Sequence, residues 1–519
     1  MRSLTAILVA AGCGLARLAQ ADALYHEAHR PQFHFSPPQQ WMNDPNGMVY
    51  DHGEYHLFYQ YNPYSNKWGP MHWGHAVSRD TVSWENLPIA LYPDRNGTIF
   101  SGSAVLDSAN TSKFGTKGKP ALVAMFTYHD HLSENLGHTG FQSQGIAYSL
   151  DNGRNWVKYP GNPVLTSPNV RDFRDPKVFW HAPSRKWIVA LAVADHVAIY
   201  ASPDLTHWTH ESDFGQGLGS HGGVWECPDL IAMTVEGTAA HKYVLMVSIG
   251  KGGPNGGSAT QYFVGAFDGH QFTLDADQAA RLQTSPLWVD YGTDDYAGST
   301  WFGGPADEDR PRFLGWMSNW QYATVVPTER WRSAMTLPRE LRLANTDRGL
   351  ELHSLPAAEL TLLHQRAAVI AAQTVSAPLD LTQAAAVKGH LLELVLELDT
   401  RAADLAELTF ANSKGEATVF RVNRKERRYE LDRRTSGAVD FHPVFANLET
   451  APLRGTGEHV ALHVFLDESS LEVFINNGET VMTAIVFPTT PYDAVTLKAD
   501  RDIGLGVATV YELKSIWNP

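Results

Sequence analysis

Short runs of β-branched and aromatic residues recur along the first half of the chain, at 55–61, 177–180, 187–193 and 243–249. Glycine, proline, asparagine and aspartate separate these runs, which is the pattern of short strands joined by turns. No stretch shows the spacing of apolar residues that a long amphipathic helix requires. The sequence therefore predicts a chain built almost wholly from β-strands.

Three segments share a pattern of Ser, any residue, Asp, a short gap and Trp. They begin at Ser78, Ser149 and Ser202 and end at Trp84, Trp156 and Trp208. The recurrence predicts the same β-turn three times. Turn units that repeat in a helix-poor chain favour radial blades of antiparallel sheet, a β-propeller, over an ordinary β-sandwich.

The pattern changes after residues 336–339. Ala-rich and Leu-rich sequence at 355–386 leads into a region where apolar and polar residues alternate, as at 459–465 and 471–475. The segment 476–478, Asn-Asn-Gly, follows, and Asn-Gly tolerates the positive φ that a tight hairpin requires. We predict a propeller domain at 22–352, a linker at 353–370 and a β-sandwich domain at 371–519.

Composition and charge narrow the classes of ligand. The 519 residues exceed what one hydrophobic core usually organises, which supports two domains. Hydrophobic residues make up 43% and charged residues 19%, as in a globular protein. The formal net charge is −15, whereas nucleic acids and anionic membranes require basic patches. We therefore expect no nucleic acid partner and favour a neutral ligand.

The N-terminus has the pattern of a signal peptide, with Arg2, an apolar run at 4–15 and small residues before position 22. We predict removal of residues 1–21 and a secreted, extracellular protein. The apolar run is too short for a membrane-spanning segment. Cys13 makes a lipid-anchored or periplasmic protein the second interpretation. After cleavage Cys227 would be the one remaining cysteine, so no disulfide could form within the chain.

Three acidic motifs are candidates for glycoside hydrolysis, in which one carboxyl attacks or activates water and another protonates the leaving oxygen. They are Asn43-Asp44-Pro45, Arg174-Asp175-Pro176 and Trp225-Glu226-Cys227. Taken singly, the first favours a structural turn and the second a surface ion pair. The third offers an apolar setting that raises the pKa of a carboxyl.

Together and in this order, the three motifs resemble the signature of glycoside hydrolase family 32, the invertases, inulinases and levanases. Segments at 58–63, 73–76, 100–103 and 471–476 agree, so the resemblance covers nearly the whole chain after the signal sequence. It implies an all-β protein in which a five-bladed β-propeller, with a funnel-shaped site at its axis, is followed by a C-terminal β-sandwich.

By the same resemblance, Asp44 is the nucleophile, Glu226 is the general acid/base, and Asp175 is a third acid that stabilises the transition state. The resemblance also implies a set of substrate-binding residues: Asn43, Gln60 and Ser103 as hydrogen-bonding groups, Arg174 as an anchor for hydroxyls, Trp68 and Trp320 as aromatic walls, and Tyr296 on the pocket lining. It implies no cofactor and no metal. Asp295 is a departure, since many relatives carry an aromatic residue there.

The implied function is retaining, exo-acting hydrolysis of terminal β-D-fructofuranosyl units in fructans (inulin, levan) and sucrose. One alternative is a fructosyltransferase, in which a sugar hydroxyl replaces water; another is a non-catalytic fructan-binding protein. A metal enzyme is a further alternative because His129, Asp130, His131 and His138 lie in one stretch. Their spacing fits no zinc motif and favours a solvated loop. The sequence carries no indication of oligomeric state.

Overall fold

The structure is a computed structural model that describes residues 24–283, 285–305 and 310–517. The predicted signal peptide, residues 1–21, lies outside this part of the chain. Within it, no helix combines the length and the apolar character needed to cross a bilayer.

Five sheets follow one another along residues 40–356. The first contains β1 (Gln40–Asp51), β2 (Glu54–Asn62), β3 (His72–Ser78) and β4 (Glu85–Leu91). The second contains β5 (Thr98–Asp107), β6 (Ala121–His129), β7 (Gln142–Ser149), β8 (Val157–Lys158) and β9 (Leu165–Thr166). Consecutive strands are antiparallel neighbours, except that β8 and β9 both pair with β7, so each sheet is a compact local unit.

The remaining three sheets of this domain have the same order. The third contains β10 (Phe173–His181), β11 (Lys186–Val193), β12 (His196–Ser202) and β13 (Thr209–Phe214). The fourth contains β14 (Trp225–Thr234), β15 (His241–Ile249), β16 (Ala259–Phe267) and β17 (Phe272–Leu274). The fifth contains β18 (Tyr296–Thr300), β19 (Arg312–Met317), β21 (Ala334–Met335), β22 (Arg339–Thr346) and β23 (Gly349–Pro356), and β20 (Trp331–Arg332) precedes β21.

The five sheets form a closed ring. The first strand of each sheet packs against the first strand of the next, and β18 packs back against β1. The short strand β20 leaves the fifth sheet and pairs in parallel with β1, through Gln40 with Trp331 and Trp41 with Arg332. This arrangement is a β-propeller in which a strand from the end of the domain completes the first sheet, as the sequence predicts for the fold class.

The three predicted turns are present, and each joins the third strand of its sheet to the fourth. The backbone N–H groups of Asp80, Asp151 and Asp204 donate to the hydroxyls of Ser78, Ser149 and Ser202, at 3.1, 3.4 and 3.1 Å. Each aspartate also accepts a backbone N–H from three or four residues further on. The pattern was readable from sequence because these bonds are local.

The C-terminal domain is a β-sandwich of two sheets. One sheet has the order β24 (His364–Ile370), β37 (Ala508–Leu513), β27 (Leu392–Asp399), β32 (His459–Asp467), β33 (Ser470–Ile475) and β34 (Thr480–Ile485), with β25 (Gln373–Val375) and β36 (Ile503–Leu505) at its side. The other has the order β26 (Leu379–Asp380), β35 (Ala494–Ala499), β28 (Leu405–Ala411), β29 (Ala417–Asn423), β30 (Arg428–Thr435) and β31 (Leu448–Pro452). As predicted, 476–478 joins β33 to β34, and all three residues have positive φ.

The described helices are short: α1 (His131–Asn135), α2 (Ala276–Leu282), α3 (Leu381–Ala384) and a 3-10 helix at Ala358–Leu363. The last of these lies within the predicted linker at 353–370. The strand β23 extends to Pro356, the 3-10 helix buries Leu360 and Leu363 against Phe33, and β24 already belongs to the sandwich. The two domains are therefore joined by a packed connection, because its leucines fill a shared apolar cluster.

Buried ion pairs also join the two domains. Arg339 in β22 donates to Asp295 at 2.9 Å and to Glu472 of the sandwich at 2.6 Å. Arg433 of the sandwich donates to Asp294 at 2.6 Å. All of these side chains are inaccessible to solvent. Asp294 and Asp295 therefore hold the start of β18 against the sandwich, so both have a structural role.

Candidate active site

The first strand of each propeller sheet carries the same β-bulge. In β1, Met42 pairs with Tyr61 and Pro45 with Tyr59, so three steps along β1 oppose two along β2. The same shift lies between Ile99 and Gly102 in β5, Arg174 and Lys177 in β10, Glu226 and Asp229 in β14, and Tyr296 and Ser299 in β18. A bulge bends its strand and re-aims the side chains, so the five inner strands turn these residues toward the centre of the ring.

Three of the five bulges share an unusual backbone conformation. Asp175, Cys227 and Ala297 occupy the same bulge position and have φ angles of +63°, +46° and +53°. A positive φ costs a non-glycine residue roughly 1 to 3 kcal/mol and is found most often at functional sites. Pro176 and Pro228 come next, where a residue without a backbone N–H fits an unpaired position in the ladder.

A cavity of about 220 Å³ opens above the bulges. It is lined by Asn43, Asp44, Gln60, Trp68, Phe100, Ser101, Arg174, Asp175, Glu226 and Trp320. All the predicted site residues except Ser103 and Tyr296 are among them. The cavity is smaller than the roughly 300 to 1,000 Å³ of pockets for drug-sized ligands, which suits a ligand group of about one sugar ring.

Asp44 is fixed by two hydrogen bonds. Asn43 donates its amide to Oδ1 at 3.0 Å, and the hydroxyl of Ser101 donates to Oδ2 at 2.7 Å. The indole of Trp41 donates to Asn43 at 2.7 Å and fixes the amide in turn. Burial raises the pKa of Asp44 above its ordinary value, and the two hydrogen bonds oppose that rise. The carboxyl is thus held in one orientation at the floor of the cavity.

Asp175 lies beside Asp44, and the two share a neighbour. The backbone N–H of Cys227 donates to Oδ2 of Asp175 at 3.1 Å, and the thiol of Cys227 contacts both carboxyls. Burial raises the pKa of Asp175 to about 7; Arg174 opposes the rise, and the charges of Glu226 and Asp44 add to it. Asp175 thus retains a proton to higher pH than an isolated aspartate does.

Glu226 is the most accessible of the three acids, with 22% of its side-chain surface exposed. The guanidinium of Arg174 donates to Oε1 from Nε and Nη2, at 3.2 and 3.1 Å. The hydroxyl of Tyr296 donates to Oε2. Arg174 is itself held by Asp172 at 2.6 Å. Glu226 therefore faces the open side of the cavity, with both oxygens oriented by neighbouring donors.

Aromatic side chains form the upper walls. Trp68 is 40% exposed and lies at the mouth, with Phe100 edge-on to it at 6.0 Å between ring centroids. Trp320 stacks on Trp41 at 5.9 Å. Phe100 and Ser101 were not predicted as site residues. Both lie inside the bulge of β5, which has no counterpart in a simple alternating strand pattern.

Two predicted binding residues lie outside the cavity. The hydroxyl of Ser103 donates to the carbonyl oxygen of Pro176 at 2.8 Å and accepts the backbone N–H of Val178 at 2.9 Å, so it links β5 to β10. Ser101 reaches the site instead. Tyr296 is buried behind Glu226 and acts on that carboxyl, because its position at the start of the bulge sets it back from the cavity.

The histidine cluster near the mouth is held by its own hydrogen bonds. His129, His131 and Glu134 lie close enough to share an ion. However, Gln142 accepts the backbone N–H of Phe173 with Oε1 and therefore donates its amide to Nδ1 of His129. Nε2 of His129 must then carry the proton and donate to Glu134 at 2.9 Å. That tautomer presents no lone pair to a metal, so the cluster is better explained as a hydrogen-bonded chain.

Two protein-family models match this chain, one in its N-terminal part and one in its C-terminal part. The family model described as "Glycosyl hydrolases family 32 N-terminal domain" matches residues 34–356, and the corresponding C-terminal model matches residues 359–514. The chain is 46% identical to a levanase of Bacillus subtilis, over 96% of this chain and 72% of that one. It is 39% identical to an extracellular exo-inulinase of Aspergillus ficuum, over 98% of each.

A solved structure has the same architecture. The crystal structure of exo-inulinase from Aspergillus awamori superposes with a TM-score of 0.86 at 36% identity, over 95% of this chain and 100% of that one. The two family models together match residues 34–356 and 359–514 of this chain. These residues contain the propeller, the sandwich and the acidic cavity. The protein belongs to glycoside hydrolase family 32.

Proposed function

We propose that this protein is a retaining, exo-acting hydrolase of terminal β-D-fructofuranosyl residues in fructans and sucrose. The observation that carries the proposal is the convergence of Asp44, Asp175 and Glu226, from three separate inner strands, on one cavity of about 220 Å³. The levanase and exo-inulinase names of its relatives support fructans as the substrate class. The small cavity suits a single terminal unit, which favours exo over endo cleavage.

Asp44 is the proposed nucleophile. Its Oδ atoms lie at the floor, fixed by Asn43 and Ser101, so the carboxylate can attack the anomeric carbon of a ring seated above it. Attack forms a covalent fructosyl ester and releases the rest of the substrate. Water then attacks the same carbon from the face that the leaving group vacated, and the anomeric configuration is retained.

Glu226 is the proposed general acid and base. It lies at the open side of the cavity, where a leaving oxygen or an incoming water would be, and Arg174 and Tyr296 fix its two oxygens. In the first step Glu226 donates its proton to the departing oxygen. In the second step the deprotonated Glu226 accepts a proton from water.

Asp175 is proposed to bind ring hydroxyls and to stabilise the positive charge of the oxocarbenium-like transition state. Gln60 and Asn43 are proposed hydrogen-bonding groups for the same ring, and Trp68 and Trp320 its aromatic walls. Transfer to a sugar acceptor would use the same residues, with a hydroxyl in place of water. The extracellular relatives and the predicted signal peptide support a secreted enzyme.

The test is product analysis by chromatography after separate incubation with sucrose, inulin and levan. Free fructose as the first product from all chain lengths would support exo-hydrolysis. Early release of oligosaccharides would instead indicate endo cleavage, and products longer than the substrate would indicate fructosyl transfer. No product from any of the three would refute the proposal and favour a binding protein.

A further inference from the structure

A layer of polar side chains lies directly beneath the acidic cavity. Its members follow the bulges, and each joins neighbouring inner strands. Asn46 accepts the backbone N–H of Gly102 at 3.2 Å and joins β1 to β5, while Ser103 joins β5 to β10. The next two junctions, among β10, β14 and β18, are made by Lys177, Asp229 and Ser299. These three occupy the same position, the first paired residue after the bulge.

Lys177, Asp229 and Ser299, here called the axial triad, are bonded to one another. The Nζ atom of Lys177 lies 2.9 Å from Oδ2 of Asp229 and donates to the hydroxyl of Ser299 at 2.8 Å. Ser299 donates to the same Oδ2 at 3.3 Å. Lys177 is 8% exposed and Asp229 is fully buried. A buried, hydrogen-bonded charge pair resists separation, because either charge alone would be left without solvent.

Each residue of the axial triad lies two or three positions after a residue at the acidic site on the same strand. Asp175 precedes Lys177 by two residues, Glu226 precedes Asp229 by three, and Tyr296 precedes Ser299 by three. Only a gap of about 20 Å³, lined by Asp175, Cys227, Lys177 and Ser299 among others, separates the two layers. On the other side, Lys177 and Asp229 border a cavity of about 410 Å³ at the far end of the ring. The triad thus closes the floor of the acidic site.

The acids above the triad repel one another, since the charges of Glu226 and Asp44 both raise the pKa of Asp175. Repulsion favours separation of β10 from β14, and at the level of the acids it is opposed by the hydrogen bonds from Arg174 to Glu226 and from the backbone N–H of Cys227 to Asp175. The ion pair between Lys177 and Asp229 opposes that separation two to three residues below the acids. The acids on these strands act on one sugar ring, and a misplacement of about 1 Å can cost about 100-fold in rate.

Given the function proposed above, we infer that Lys177, Asp229 and Ser299 are positioning residues that set the spacing of the acids on β10, β14 and β18. They touch no substrate and act through the strands that carry Asp175, Glu226 and Tyr296. The ion pair therefore matters for the rate of turnover as well as for folding. This role distinguishes it from the ion pairs on the outer strands of the same sheets.

The experiment compares Lys177→Met with Lys186→Met, a matched change on β11 of the same sheet, where Lys186 pairs with Glu211 at 3.2 Å near the surface. For Lys177→Met we expect kcat to fall about 100-fold, with KM changed less than about threefold. Lys186→Met should keep the wild-type kcat.

Crystal structures of the wild type and the variants give a readout that needs no activity. The inference expects the distance between the carboxyls of Asp175 and Glu226 to increase in Lys177→Met. If Lys177→Met does not fold, Ser299→Ala, which removes one hydrogen bond and no charge, should show a smaller change in the same distance. An unchanged distance together with unchanged kcat per folded molecule would overturn the inference. Failure of the wild type to release fructose would count against the proposed function alone, since the distances are measured independently.

Discussion

The sulfur of Cys227 lies 3.6 Å from Oδ2 of Asp44 and 3.7 Å from Oδ2 of Asp175, so one thiol bridges two acids of the site. Burial raises the pKa of this thiol well above its ordinary value, and the negative charges of Asp175, Asp44 and Glu226 add to the rise. The thiol is therefore neutral and can donate only a weak hydrogen bond. A thiolate here would place a further negative charge among the carboxyls.

The raised pKa predicts an unreactive cysteine, because alkylation requires the thiolate. In protein that begins at Asp22, Cys227 is the one cysteine. We expect no incorporation of iodoacetamide into the native protein at pH 8 and one equivalent after denaturation, as measured by mass spectrometry. Rapid labelling of the native protein with loss of activity would contradict the assignment of a buried, neutral thiol.

Replacement of the proposed nucleophile should prevent formation of the covalent fructosyl ester, which is the first step of the reaction. Asp44→Asn keeps the size of the side chain and removes the attacking charge, so we expect kcat on sucrose to fall by at least about 10⁴-fold. The melting temperature should change little. The matched control is Asp51→Asn at the other end of β1, which should retain activity. Turnover in Asp44→Asn near the wild-type rate would exclude this residue as the nucleophile.

Replacement of the proposed acid should depend on the leaving group. Glu226→Gln cannot protonate the departing oxygen, so we expect a loss of about 10²- to 10⁴-fold on sucrose. The loss in the first step should be much smaller on p-nitrophenyl β-D-fructofuranoside, whose leaving group needs no proton. Burst kinetics with the aryl substrate would measure that step. Equal losses in the first step on both substrates would argue against Glu226 as the acid.

Stability should fall in alkaline solution through His34, which is buried between Asp467 and Glu472 of the sandwich at 2.7 and 2.9 Å. Burial alone would lower the pKa of His34, but the hydrogen bonds to the two acids outweigh it and raise the pKa to about 9. This folded pKa lies above the ordinary 6.5, so the stabilisation is complete below pH 6.5 and is lost as the pH rises through 9. Its size is about 3 kcal/mol, at about 1.4 kcal/mol per pKa unit.

Urea unfolding at pH 6 and pH 9 measures this effect. At pH 6, His34→Gln should have a lower free energy of unfolding than the wild type. The free energy of unfolding of this variant should also differ much less between pH 6 and pH 9. His207→Gln is the control, because the ring of His207 is 82% exposed. The same pH dependence in His34→Gln as in the wild type would show that other groups are responsible.

The parts of the structure that were predictable from sequence depend on local interactions. The turns after Ser78, Ser149 and Ser202 were predictable because their hydrogen bonds link residues a few positions apart. The linker was predicted from composition alone, and composition does not show that Leu360 and Leu363 pack against Phe33. The convergence of the three acids came from the family resemblance, because no periodicity relates strands so far apart in the chain.

Ser103 was expected at the site from the family resemblance, whereas Ser101 lines the cavity. In a regular strand, which alternates its faces, residues 101 and 103 would point to the same side. The bulge between Ile99 and Gly102 breaks that alternation and gives the two serines different surroundings. The five bulges share a geometry but little sequence, since their middle residues include Asn43, Phe100, Asp175, Cys227 and Ala297. The bulge is therefore repeated in the backbone, and the pattern of side chains along the sequence does not reveal it.

The pairing of Gln40 with Trp331 has a consequence for how the protein folds. Nearly all strand pairs of the propeller join neighbours in sequence, and such local contacts form early and at low entropic cost. Closure between β1 and β20 joins residues at opposite ends of the domain. The cavity draws its walls from both sides of this seam, Asn43 and Asp44 on one side and Trp320 on the other. Both sides of the seam must therefore be synthesised before the cavity can form. We expect the closing of the ring to be the slow step in folding to an active molecule.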